Sequence, residues 1–211
     1  WIADPKAIRP TTRMPRFFGL HDHLEGEELD RAERFEAVEI GAIGSYLRAA
    51  SQSLDLLPAP PEVTEKASAD RGEALFVQQG CVACHRHADV PEGTSTVGPD
   101  LTGLGSMITT NSGRAWLTSW IRDPAYHSPS TRMPNPLLAP EPVGGDSDDG
   151  RRRMSDPAAD LAAYLLESKG EALEAFPSID ETDLDALART HLIKQFPSAR
   201  AEEFLTKGIF P

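Results

Sequence analysis

The chain has 211 residues, of which 39% are hydrophobic and 26% charged, and its 33 acidic against 21 basic side chains leave a formal net charge of −12. That charge makes nucleic acid a poor partner, because phosphate would be repelled rather than steered in; it suits a protein partner with a basic docking surface. No apolar run approaches the roughly 20 residues of a membrane-spanning helix, so no span is expected in this chain, and its length allows one large domain or two small ones.

In chain order, the first notable stretch is Trp1 to Pro15. It returns as Trp120 to Pro134 with the same interval from Trp to Met and most residues alike, which makes it an internal repeat. His21 and His23 follow in an acidic, solvated loop. Phe35, Val38, Ala42, Ile43, Tyr46 and Leu47 then recur at helical spacing. Leu57-Pro58-Ala59-Pro60-Pro61 reads as a short, stiff spacer. Beyond it Thr64 or Ser68 can cap a helix carrying Ala67, Ala74, Leu75 and Val77, with Gly80 as its stop.

Cys81-Val82-Ala83-Cys84-His85 is C-x-x-C-H, the pattern of covalent haem c attachment. Two thiols at that spacing on a turn can both reach the vinyl groups on one edge of a porphyrin, while the next residue places an imidazole under the iron. A redox dithiol or half of a zinc site would also explain the two cysteines. Neither requires His85, and a four-ligand structural zinc needs two more Cys or His at short spacing, where only His87 stands nearby.

Gly98-Pro99-Asp100-Leu101 is by itself only a turn. Trp116, Leu117, Trp120 and Ile121 share one face of a helix that Pro124 ends, either as core or against a cofactor. Ser130-Thr131-Arg132-Met133-Pro134-Asn135 comes next. Residues 140–150 form an exposed acidic loop. Ser155-Asp156-Pro157 starts a helix with Leu161, Ala162, Tyr164 and Leu165 on one stripe and Gly170 as its stop. Two short amphipathic helices close the chain, one with Leu184, Leu187, Ala188 and Leu192, the other with Ala201, Phe204 and Leu205 before Gly208.

From about residue 65 to 169 this order of elements resembles a class I cytochrome c domain. The resemblance implies an all-α domain around one haem c, in which Gly72 and Phe76 sit where the N-terminal helix crosses the C-terminal one. It implies that Cys81 and Cys84 attach the haem and that His85 is the proximal iron ligand. The Pro99 carbonyl would accept the His85 Nδ1 proton, raising the basicity of the imidazole toward iron. Leu101 would pack on the ring, Trp120 would wall the cavity, and Arg132 could neutralise a propionate. Met133 would be the distal ligand, with His127, Met107 and Met154 as fallback candidates.

The implied organisation is the C-terminal half of a preceding cytochrome c-like repeat over residues 1–52, a Pro-rich linker over 53–63, the haem domain over 64–170 and a helical connector over 171–211. Tyr46-Leu47 then stands for Tyr164-Leu165, and Met14 would be an axial ligand of a parent tandem cytochrome; a degenerate, haemless repeat is the alternative. With His85 and Met133 both bound, the iron has no open position, so the expected function is electron transfer to and from redox proteins, not catalysis. Two alternatives stay open: an electron-entry module of a larger multidomain oxidoreductase, and a five-coordinate haem enzyme or gas sensor if Met133 does not ligate. Haem c attachment in the resembling families takes place outside the cytoplasm, so a periplasmic or other extracytoplasmic site is expected.

Overall fold

The computed structural model describes residues 1–91, 93–145, 150–170 and 179–208. The chain divides into two units, Leu54–Glu174 and a second one built from Trp1–Ser53 with Ala175–Pro211. Among the described residues regular structure is helical apart from one two-stranded ladder, so the chain is all-α.

The larger unit is organised by the crossing of α3 (Ala69–Gln78) and α7 (Pro157–Glu167). Both helices start on a local signal: the Ser68 hydroxyl accepts from the Arg71 amide, and the Asp156 carboxylate accepts from the Ala158 amide with Pro157 at the first helical position. Gly72 is the contact point. A Cβ there would lie 2.0 Å from the Asp160 carbonyl oxygen and 2.7 Å from Tyr164 Cβ, so only glycine permits this approach. Phe76 is 1% exposed, and Leu161, Ala162, Tyr164 and Leu165 are all buried with it. Each such large apolar side chain contributes about 1.5–3 kcal/mol by leaving water.

A buried ion pair fastens the same crossing. Asp160, with no exposed surface, receives Arg71 through two bonds of 2.8 Å and the Ser68 amide at 2.7 Å, and the pairing raises the Arg71 pKa. Its carboxylate thus has a charged partner and a backbone donor, which a buried charge requires.

Helix α5 (Asn111–Arg122), capped by Thr110, adds Leu117 and Ile121 to this core. The short α4 (Leu104–Met107) precedes it and α6 (Pro124–His127) follows it. The Pro-rich spacer is stitched to α5: Ser119 Oγ accepts from the Leu57 amide at 2.8 Å, and Arg122 donates to the Leu57 and Pro58 carbonyls and to Asp156. Strands β1 (Glu141–Pro142) and β2 (Met154–Ser155) pair antiparallel with Glu141 opposite Ser155 and Pro142 opposite Met154. The sequence holds no strand pattern here, because two residues are too few to show a period of two. Residues 146–149 of the expected acidic loop lie outside the described residues. Helix α7 ends at Glu167, ahead of the stop expected at Gly170.

The smaller unit contains α1 (Pro5–Ile8), the long α2 (Gly26–Ala50), α8 (Glu181–Leu192) and α9 (Ser198–Lys207). Val38 and Ile40 are the buried residues of α2. Helix α8 packs on α2, with Arg34 paired to Asp183, and α9 folds against α8 through the Phe196–Phe204 edge-to-face pair and a fully buried Ala201. A connector is the sequence reading of 171–211. In the structure the part from α8 onward belongs with residues 1–53, through contacts far apart in sequence that no local pattern encodes. Residues 171–178 and 209–211 of that connector lie outside the described residues.

Candidate functional site

The C-x-x-C-H segment begins where α3 stops. Gly80 takes the left-handed conformation (φ 72°), which turns the chain into a single 3-10 turn at Cys81–Ala83. The Cys84 and His85 amides both donate to the Cys81 carbonyl, at 3.1 and 2.9 Å, so cysteines and imidazole project from one tight loop. Both thiols are free and partly buried, and burial pushes the Cys81 thiol above its ordinary pKa.

His85 is held from below. Its Nδ1 lies 2.9 Å from the Pro99 carbonyl oxygen, which can only accept, so Nδ1 carries the proton and Nε2 is left for a ligand. Gly98 closes this cradle: a Cβ there would stand 2.7 Å from both Cε1 and Nδ1 of His85, and the Gly98 amide donates to the Cys84 carbonyl at 2.7 Å. Leu101 donates its amide to the Arg86 carbonyl and its side chain packs at the edge of the core.

Met133 sits on an equally determined loop. Its amide donates to Thr131 Oγ1 at 3.2 Å, and its sulfur accepts from the Trp120 indole N–H at 3.2 Å. Trp120 in turn stacks on His127, and Trp116 lies beside both. On α5, Leu117 and Ile121 are buried in the core and Trp116 packs against it, while Trp120, in ring contact with Trp116, donates to the methionine sulfur. His127 is occupied by a 2.8 Å bond to Ser119 Oγ; Met107 is 45% exposed on α4, and Met154 lies in β2. Arg132 is exposed.

The structure thus joins Cys81, Cys84, His85 and Pro99 in one cluster and Trp120 with Met133 in another. Among the described residues no group of three or more His, Cys, Asp or Glu is placed to hold a metal ion, which leaves a zinc reading of the two cysteines without further ligands. The donor set fits haem c instead: two free thiols on one turn, an imidazole with Nε2 available, and a thioether held by a side-chain donor.

Two residues in this region have roles that sequence reasoning missed. Ser119 is fully buried and bridges the spacer to His127. His87 is 1% exposed, packed against Phe76 and Tyr164. Its Nδ1 accepts from the Asp89 amide and lies 3.1 Å from the Tyr164 hydroxyl, while Nε2 has no hydrogen-bond partner among the described residues. Nothing local distinguishes His87 from a surface histidine, since its partners come from α3 and α7.

No family model and no curated protein matches the chain. Among solved structures, a chain of the crystal structure of SoxXA from P. pantotrophus is similar, with 19% identity and a TM-score of 0.37, over 55% of this chain and 95% of that one.

Proposed function

We propose that the chain is an electron-transfer protein carrying one covalently bound haem c. Cys81 and Cys84 would form the thioether bonds, His85 would hold the iron from the proximal side, and Met133 from the distal side. The observation that carries this reading is the cradle of His85: Nδ1 is committed to the Pro99 carbonyl, and Gly98 admits no side chain that would tilt the ring. Such a bond fixes the tautomer and makes the imidazole a stronger donor.

The bound haem would supply a one-electron couple. Around it the protein's own groups bind, orient and exclude water. The Trp120 ring beside Met133, backed by Trp116, would help exclude water from the methionine side, which together with a thioether ligand would favour the reduced state. If His85 and Met133 both held the iron, no position would remain for substrate, and the rate of exchange would depend on proximity to a redox partner. The net charge of −12 points to a partner with a basic docking surface. No helix among the described residues is long and apolar enough to cross a membrane. In the resembling families haem attachment occurs outside the cytoplasm, and the same location is proposed here.

The test is an alkaline pyridine haemochrome spectrum on protein matured with haem-attachment machinery, together with the oxidised spectrum in the far red. A c-type haemochrome plus the methionine-to-iron charge-transfer band is the expected result. Carbon monoxide binding to the reduced protein at neutral pH, with no such band, would instead favour an open-site sensor or enzyme. Absence of covalent haem would end the reading.

A further inference from the structure

The repeat of residues 1–15 extends from sequence into hydrogen bonding. Asp4 Oδ1 accepts from the Lys6 and Ala7 amides at 3.0 and 3.2 Å, as Asp123 Oδ1 accepts from Ala125 and Tyr126 at 3.1 and 3.4 Å. Pro5 and Pro124 each open a four-residue helix, and both are buried. The Arg9 amide donates to Pro5 and the Thr12 amide to Arg9, as Ser128 donates to Pro124 and Thr131 to Ser128. The last bond of the series is the same in both: the Met14 amide reaches Thr12 Oγ1 at 3.2 Å, and the Met133 amide reaches Thr131 Oγ1 at 3.2 Å. A loop that presents a thioether is therefore built twice.

What differs is the cover. In the larger unit Tyr164 and Leu165 are 6% and 4% exposed, because α3 lies across α7 at Gly72 and Phe76. Their counterparts on α2, Tyr46 and Leu47, are 71% and 55% exposed, and Ile43 beside them is 39% exposed. Trp1, the counterpart of Trp120, is 51% exposed. Helix α8 takes the Arg34 region of α2 and leaves this apolar face open. Contiguous apolar side chains at helical spacing mark a docking face.

We propose that residues 1–53 are the receiving half of a second haem site, with Met14 the iron ligand. Its occupant is a polypeptide segment of the kind formed by residues 64–119: a helix like α3, crossing α2 over Tyr46 and Leu47, followed by a C-x-x-C-H turn bearing haem c. The interface already formed by α3 and α7 is the pattern for this docking. The inference rests on the electron-transfer reading above, because it transfers the roles of His85 and Met133 to the second site.

The experiment places a copy of residues 64–119 directly ahead of Trp1 of the full chain, so that the copied α5 runs on into Trp1 as it runs into Trp120 in the natural order. After haem attachment, haem per chain and far-red absorbance per haem are measured. The expected result is two haems per chain and about twice the far-red band of the unextended chain. Met14→Ala should remove about half of that band, and Met14→His should keep the second haem low-spin while removing its band alone. Tyr46→Glu with Leu47→Glu should expose the second haem to carbon monoxide. A second haem without the band, or a band indifferent to Met14→Ala, overturns the proposal. So does a haem-loaded unextended chain that sediments as a dimer dispersed by Tyr46→Glu, since a second copy would then own the face. The electron-transfer reading fails separately, if the unextended chain lacks a c-type haemochrome.

Discussion

At the scale of single residues the site is determined by hydrogen bonds to atoms that can play only one role. The Pro99 carbonyl can only accept, so the His85 proton is placed by the backbone, where no side-chain substitution removes the acceptor. The distal side is different, because the donor to the Met133 sulfur is the Trp120 indole, a side chain. In the proposed haem site, where Met133 would hold the iron, an N–H directed at its sulfur would withdraw electron density from it and disfavour the oxidised state, so the bond would raise the reduction potential. Trp120→Phe keeps an aromatic, if smaller, side chain and removes the donor. Taking the bond as about 1 kcal/mol of selective interaction, the potential should fall by about 40 mV for a one-electron couple. Potentiometric titration checks this, and the far-red band should persist because Met133 remains. An unchanged potential with an unchanged band would show that the indole N–H turns away once haem is bound.

At the scale of elements the decisive contact is the α3–α7 crossing. Gly72→Val places a branched side chain where even a Cβ would lie 2.0 Å from the Asp160 carbonyl, so the helices must separate. Overpacking costs about 1–3 kcal/mol and sometimes more, and the melting temperature should drop by about 5–10 °C. Thermal unfolding followed by circular dichroism reads it, and an unchanged midpoint would mean that the helices do not cross at this glycine.

The same crossing titrates. Burial pushes the Tyr164 phenol up to about 12, from an ordinary value near 10. A folded-state pKa above the unfolded one gives stability that is fully present below about pH 10 and is lost as pH rises toward 12. Denaturant midpoints between pH 9 and 12 should show that loss, and Tyr164→Phe should flatten it.

These elements also show what local sequence can reveal. Ser68, Gly80, Asp156 and Pro157 act on their own neighbours, so the start and stop of α3 and the start of α7 were readable, as was the C-x-x-C-H turn. His87 under Tyr164, Ser119 between Leu57 and His127, and α8 on α2 depend on partners distant in sequence. Spacing carries no record of them. The face of α5 lies between these cases: its four apolar residues were legible as a stripe, but not that Trp120 would bond the Met133 sulfur and stack on His127 of α6, since both partners lie on later segments.

At the scale of the whole molecule the controlling quantity is charge. A net −12 on 211 residues produces a negative field that extends about a Debye length, some 30 Å at 0.01 M ionic strength and about 8 Å at 0.15 M. If electrons pass to a basic protein, encounter is steered at low salt and loses that help as salt rises. The bimolecular rate of reduction by a basic redox protein, followed by stopped-flow absorbance of the haem, should therefore fall at least tenfold between these ionic strengths. An acidic redox partner should show the opposite slope, because screening removes repulsion. The two slopes together separate steering by net charge from a specific patch: a patch confined to the acidic loop at 140–150 would lose the basic-partner slope when its carboxylates are neutralised, whereas the distributed charge of the chain would keep most of it.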